Sequence, residues 1–246
     1  MATFDRRTVL AGAAALGSTP AFAQADRPQR SETVSGRMYD YLFMDFAPPA
    51  GTPLQRVLTE QFGRPKTAAL DAAGGAVLGA WTSQLGWKSS EAAILVGWRD
   101  GGARNEGALA SLTSGPVVRS LRRDRLVPTV RPQSSSKPQP GGIYVHRWFA
   151  VEASAVAEFV ELSVLGWRDF ETRFETSIYG LLQADRSAQD VKDGLVRLLL
   201  ITRYRDHGVW ETSRDPSTDA MAAFARRQKL TRSTWGASSL LLPTGG

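Results

Sequence analysis

The chain has 246 residues, of which 42% are hydrophobic and 22% charged, a composition that supports one large globular domain or two small ones. It contains no cysteine, which excludes disulfides, thiolate metal sites and a cysteine nucleophile, and its two histidines are too few for a multi-histidine metal centre. The net charge of +6 favours acidic partners but carries no information about the fold.

The N-terminal segment is typical of an export signal. Arg6 and Arg7 precede a mildly apolar run that ends in the small-x-small triplet Ala21-Phe22-Ala23, where a signal peptidase can cut. The run falls short of the roughly 20 residues that a membrane span needs, and the order Arg-Arg-Thr-Val-Leu resembles a twin-arginine signal. We expect residues 1–25 to be this signal, cleaved between Ala23 and Ala25. The mature protein is then periplasmic or otherwise exported, without stable membrane insertion.

After a polar lead over residues 26–36, the chain repeats itself. Landmarks recur in one order at shifts of 104 to 111 residues: Tyr39 with Tyr144, Trp98-Arg99-Asp100 with Tyr204-Arg205-Asp206, Arg122-Arg123 with Arg226-Arg227, and residues 129–132 with 240–243. Constant spacing of this kind is the signature of an internal duplication. It predicts repeats at residues 37–132 and 142–246, joined by a Pro/Ser-rich linker at residues 133–141.

Hydrophobic periodicity predicts the same element order, β-α-β-β-α-β, in both repeats. The first repeat has predicted strands at 38–46, 77–84, 92–98 and 127–131, a helix from Leu54 interrupted at Pro65, and a helix at 116–126. The second has predicted strands at 143–151, 178–184, 196–204 and 238–242, with helices at 156–174 and 217–230.

The segments IYVHRWFAVEASAVAEFVELSVLGW, LLLITRYRDHG and SSLLLP resemble the NIPSNAP-type members of the dimeric α/β-barrel superfamily. This resemblance covers both halves and is clearer in the second. It implies a ferredoxin-like unit whose sheet packs face to face against a second sheet. Two copies in one chain imply an α+β protein in which two βαββαβ repeats form the barrel within the molecule, as a monomeric pseudo-dimer or a higher homo-oligomer.

The stretch GWRDGG at residues 97–102 matches the loose G-x-x-D-G pattern of haem peroxidases. However, Trp98-Arg99-Asp100 recurs as Tyr204-Arg205-Asp206 without the glycines that follow. An aspartate at a strand end can accept hydrogen bonds from the free N–H groups of a helix start. We therefore interpret Asp100 as part of a structural turn.

Polar side chains on the first strand of each repeat are candidate site residues, because that strand should be buried on both faces. Asp40 and Arg147 lie on corresponding faces and either pair across the barrel or find local partners, since a buried charge needs a partner. His146 is a candidate ligand or base but is more simply a core histidine among aromatic residues, and His207 a loop residue. Trp148 and Trp167 complete the predicted ligand-binding set.

Three classes of function stay open at this point. The first is a non-catalytic barrel protein that binds a small apolar or aromatic ligand, without cofactor or metal. The second is a cofactor-independent monooxygenase or isomerase with a Trp/Tyr-lined pocket between sheet and helices. The third is a haem protein of the chlorite dismutase type, with His146 or His207 as axial ligand. The basic segments at 119–125 and 225–229 favour solvated helix faces over nucleic-acid binding.

Overall fold

The computed structural model describes residues 36–99, 101–133 and 136–243, so the predicted signal and Asp100 lie outside the described residues. Eight strands alternate with helices along the chain. The strands are β1 Tyr39–Phe46, β2 Gly75–Leu85, β3 Glu91–Trp98, β4 Val118–Arg131, β5 Ile143–Glu152, β6 Thr176–Ala184, β7 Leu195–Tyr204 and β8 Thr231–Leu241. The helices are α1 Leu54–Gln61, α2 Arg64–Ala72, α3 Glu106–Thr113, α4 Val156–Arg173, α5 Ala188–Lys192, α6 His207–Thr212 and α7 Asp219–Lys229.

The eight strands close into one antiparallel barrel in the order β1-β3-β2-β8-β5-β7-β6-β4. Within it, each repeat has the strand order 4-1-3-2 of the ferredoxin-like unit that the family resemblance implies. Two antiparallel seams join the repeats: β2 with β8, where Trp81 pairs with Leu241, and β4 with β6, where Leu126 pairs with Ala184. The seams leave no open sheet edge at which another chain could pair.

Each sheet buries both faces, so the molecule has three cores. Barrel-facing side chains such as Tyr39, Tyr41 and Trp81 form the central one. The outer face of the first sheet packs under α1, α2 and α3 around Leu42 and Met44. The outer face of the second sheet packs under α4 and α7. The prediction that β1 and β5 are buried on two faces is thereby confirmed.

Helices α4 and α7 pack closely because Gly166 faces Phe224. A Cβ atom at Gly166 would overlap the Phe224 ring. The aromatic ring therefore occupies space that a side chain on α4 would fill, and it brings α7 down onto the outer face of the second sheet. This packing shapes the cavity described below.

The prediction of a helix at residues 116–126 is wrong, because residues 118–126 belong to the long strand β4. The second helix of the first repeat lies earlier, at α3, where the Asn105 side chain caps the helix by accepting from Ala108 N at 2.9 Å. Inward side chains of β4 alternate at Asp124, Leu126 and Pro128. Because Asp124 occupies a core position, the alternation was not visible as an apolar pattern.

This correction also changes the match between the repeats. Arg122 and Arg123 lie on a strand, whereas Arg226 and Arg227 lie on α7, so the two arginine pairs are not equivalent. The Tyr39–Tyr144 match holds, since both residues lie at the start of the first strand of their repeat and face the barrel core. In the described part of the chain, no helix has the length and apolar character to cross a membrane.

Candidate ligand site on the second repeat

His146 and Trp148 point into the barrel, where aromatic side chains surround them. The Tyr41 hydroxyl lies 3.1 Å from His146 Nδ1, and the rings of Trp81 and Trp87 lie 4.9 and 5.1 Å from the imidazole. Burial lowers the pKa of His146 to about 3, so the imidazole is neutral at physiological pH. His146 is therefore a packed core residue.

The packing around His146 does not fit an axial haem ligand. The Tyr41 hydroxyl occupies one ring nitrogen, and indole rings pack edge-on against the imidazole, where a macrocycle would have to lie. His207, by contrast, is the exposed first residue of α6 rather than a loop residue. The preceding Asp206 caps that helix by accepting from Val209 N at 2.8 Å, as predicted for a strand-end aspartate.

Asp40 is fully buried on the outer face of the first sheet, where basic and hydrogen-bonding side chains surround its carboxylate. Its carboxylate accepts from Arg123 Nε at 2.6 Å and from Trp98 Nε1 at 2.6 Å, and Arg104 Nε lies 3.5 Å away. The possible pair between Asp40 and Arg147 does not form. The two residues lie on the outer faces of different sheets, so the barrel separates them.

An open cleft lies beside the outer face of β5 and β8, between α6 and the end of β2. It has a volume of about 350 Å³ and is lined by Arg147, His207, Gly236 and apolar side chains. Two exposed large hydrophobic residues border it, Leu85 at 67% and Trp210 at 36% exposure, while the ring of Trp235 stacks on the barrel-facing Trp148. Grouped exposed apolar side chains of this kind mark interaction or ligand sites.

A second cavity of about 250 Å³ lies between the sheet and helices α4 and α7. Of the predicted site residues, the structure brings Arg147 and Trp167 together here, and Arg147 lines the cleft as well. Two further arginines, Arg214 and Arg227, complete the cavity wall. Asp40, His146 and Trp148 do not belong to either space.

Arg227 is buried, which corrects the prediction that its segment is a solvated helix face. Its side chain is 8% exposed and donates to Ser163 Oγ at 3.1 Å. The signal was present in the sequence, since Ala220, Ala223 and Arg227 share the inward face of α7 at helical spacing. Arg214 follows α6, a short helix that the apolar periodicity did not reveal.

Among the described residues, no group of three or more His, Asp or Glu side chains is arranged to hold a metal ion. The titratable groups at the two spaces are instead mainly cationic. Burial is the main cause that lowers the pKa of Arg147, and the neighbouring charge of Arg214 lowers it further.

Sequence comparison finds no matching family model and no matching curated protein. Solved structures do match the fold over most of the chain. A candidate monooxygenase from Lactobacillus acidophilus NCFM superposes with a TM-score of 0.51 at 10% identity, covering 85% of this chain and 97% of its own. An anthrone oxidase-like protein gives 0.51 at 15% identity, with 86% and 94% covered.

A candidate chlorite dismutase also matches, with a TM-score of 0.50 at 10% identity, covering 85% of this chain and 96% of its own. At such low identities the likeness establishes the fold alone, because unrelated activities share one architecture. The strand order and the structural matches together show that this chain has the dimeric α/β-barrel fold, with both ferredoxin-like units in a single polypeptide.

Proposed function

We propose that the protein is an exported, non-catalytic binder of a small apolar or aromatic ligand, and that the ligand occupies the cleft between α6 and β8. One observation carries the proposal: Leu85 and Trp210 leave large apolar surfaces exposed around one concavity of about 350 Å³. Ligand sites combine such apolar walls with a few polar groups that orient the ligand. Arg147 and His207 supply those groups here.

The cleft can be tested by filling it. Gly236 lines the cleft, and a Cβ atom there would come no closer than 3.4 Å to the His146 carbonyl oxygen, which is ordinary contact. Gly236→Val should therefore fold and occupy the cleft. Ser233→Val places the same side chain on the same strand at an exposed position outside the cleft and is the control.

The probe is the neutral dye N-phenyl-1-naphthylamine, whose fluorescence rises in apolar surroundings. The wild type and Ser233→Val should bind it equally. Gly236→Val should weaken binding about tenfold or more, since a loss of about 1.4 kcal/mol of contact is tenfold in affinity. Equal binding by all three proteins would place the dye elsewhere and remove the support for this cleft.

A cofactor-independent oxygenase is the second candidate, and the position of His207 favours it. This exposed imidazole borders the cleft, where it could accept a proton from a bound substrate. One of the structural matches is named anthrone oxidase-like, which suggests anthrone as a trial substrate. Oxidation of anthrone by dioxygen yields anthraquinone and water. Oxygen uptake that is lost in His207→Gln would establish this activity, whereas no uptake in the wild type favours the binding protein.

The NIPSNAP-like assignment and export both rest on sequence patterns. Export is tested by changing Arg6 and Arg7 to lysine, which should leave the uncleaved precursor inside the cell. Normal export of this variant would contradict a twin-arginine route. Native mass spectrometry of the mature protein would then report the subunit number and any ligand that stays bound through purification.

A further inference from the structure

The cavity between the second sheet and helices α4 and α7 contains three arginines and no acidic side chain. Arg147 comes from β5, Arg214 from the segment after α6, and Arg227 from α7. The remaining lining residues are aromatic, aliphatic or neutral polar. Among the described residues, no carboxylate pairs with any of these three guanidinium groups.

The positive charges of the three guanidinium groups repel one another. Burial first, and then the charges of Arg147 and Arg214, lower the pKa of Arg227 to about 9. Buried charges in proteins are normally paired with an opposite charge, because desolvation without a partner is costly. An acid-free cavity with three guanidinium groups is therefore electrostatically incomplete without an anion.

Arg227 is partly compensated by its surroundings. Its guanidinium lies 4.6 Å from the Phe224 ring centroid and 5.0 Å from that of Phe149, in cation–π contact, and it donates to Ser163. Arg147 makes no such ring contact within the described chain. Arg214 lies 4.9 Å from the Trp210 ring centroid and also interacts with the Tyr204 hydroxyl, but its Nε is buried without a hydrogen-bond partner. The donors that remain for an anion are thus on Arg147 and Arg214.

The cavity also offers a neutral donor and an aromatic wall. Trp167 is 2% exposed, and its Nε1 is buried without a hydrogen-bond partner. Phe149, Phe170 and Phe224 supply ring faces and edges. An apolar cavity of about 150 Å³ accommodates benzene, so the volume of about 250 Å³ leaves room for one aromatic ring and an acidic group.

We propose that this cavity binds a small aromatic carboxylate, whose carboxylate pairs with Arg147 and Arg214 and whose ring packs against the phenylalanines beside α7. Guanidinium groups suit this role because their planar N–H pairs match the two oxygens of a carboxylate. The exposed residues Ala225 and Gln228 on α7 border the cavity and mark its side of entry. The inference does not require the neighbouring cleft to bind a ligand.

Isothermal titration with benzoate tests the proposal, with benzamide as the neutral isostere and inorganic phosphate as an anion without a ring. Benzoate should bind the wild type, and benzamide and phosphate should bind at least about tenfold more weakly. Arg147→Gln and Arg214→Gln should each weaken benzoate about tenfold or more. A charge-assisted hydrogen bond contributes about 1.5–3 kcal/mol, and about 1.4 kcal/mol corresponds to tenfold in affinity.

Arg226→Gln is the matched control, because it removes the same charge from the exposed neighbour of Arg227 on α7. Its benzoate affinity should equal that of the wild type. Arg214→Gln separates the two spaces, since Arg214 lines the arginine cavity and not the cleft, whereas Gly236 pairs with Arg147, which lines both. Dye binding in the cleft should therefore survive in Arg214→Gln even where benzoate binding is lost.

Three results would overturn the inference. Equal affinity for benzamide would show that charge is not recognised, and a preference for phosphate would exclude an aromatic acid. Full benzoate binding in Arg214→Gln would place the anion outside this cavity. That last result would leave the proposed function standing and remove only the second site.

Discussion

We expect His146 to lower the free energy of unfolding in acid, and we expect His146→Gln to remove this pH dependence. Its pKa is lowered by burial from 6.5 to about 3 in the folded protein, so the native state holds the imidazole neutral. The unfolded chain takes up a proton as the pH falls below about 6.5, whereas the folded chain does so only near pH 3. Stability from this residue is therefore complete above pH 6.5 and is lost progressively as the pH falls.

The magnitude follows from the pKa difference. At pH 4.5, two units below the unfolded pKa, the loss is on the order of 3 kcal/mol at about 1.36 kcal/mol per unit. Little of it is lost at pH 7, where the unfolded imidazole is mostly neutral. The free energy of unfolding should thus drop by about 2–3 kcal/mol between pH 7 and pH 4.5 through His146 alone.

The assay is urea unfolding followed by tryptophan fluorescence at several pH values, for the wild type and for His146→Gln. Glutamine can still hydrogen-bond the Tyr41 hydroxyl but does not titrate. Carboxylates contribute their own acid sensitivity to both proteins, so the difference between the two curves isolates the histidine. Curves that run parallel from pH 7 to pH 4.5 would show that His146 is not buried as a neutral group.

Three further changes have defined outcomes. Asp40→Asn should cost about 3–5 kcal/mol and lower the Tm by roughly 6–20 °C in a thermal melt, because it leaves Arg123 without its buried partner, whereas Glu60→Gln in an exposed pair should change little. Gly142→Ala should cost more unfolding free energy in urea titrations than Gly194→Ala. Both glycines have positive φ, but only at Gly142 would a Cβ overlap a carbonyl oxygen, that of Tyr204. The purified protein should be colourless, and weak haemin binding should not respond to His146→Ala or His207→Ala; a Soret band lost in His207→Ala would refute this and establish a haem protein.

The element order and the duplication could be predicted because their signals are local and repeated, whereas the closed barrel was implied by the family resemblance. Tyr39 and Tyr144 lie at the start of strands of aromatic and β-branched residues, and the spacing between them indicates the duplication. Burial on two faces leaves such strands with almost continuous apolar runs. The prediction for β5 and α4 differed from the structure by one residue at an end, because both patterns are long and unbroken.

The pairing of charges could not be predicted, since it depends on which face of which sheet each residue occupies. Asp124 lies at an inward position of β4 and pairs with Arg197 of β7 at 2.6 Å, across the seam between the repeats. Because Asp124 is polar, the alternation of inward and outward side chains along β4 was not recognisable in the sequence. The arginine cavity is likewise assembled from β5, α7 and the segment after α6, which no single sequence window contains.

The two repeats differ in whether a buried charge on the outer face of the sheet has an oppositely charged partner. In the first, Asp40 is surrounded by Arg123, Arg104 and Trp98, so its charge is balanced by cations within the protein. In the second, Arg147 takes a position equivalent to Leu42, at the shift of 105 that relates Tyr39 to Tyr144, and no acid accompanies it. A leucine would cost less there, because an unpaired buried cation destabilises the fold. A bound anion would pair with Arg147 and offset this desolvation cost. Anion binding therefore explains why an arginine, rather than a leucine, occupies this position.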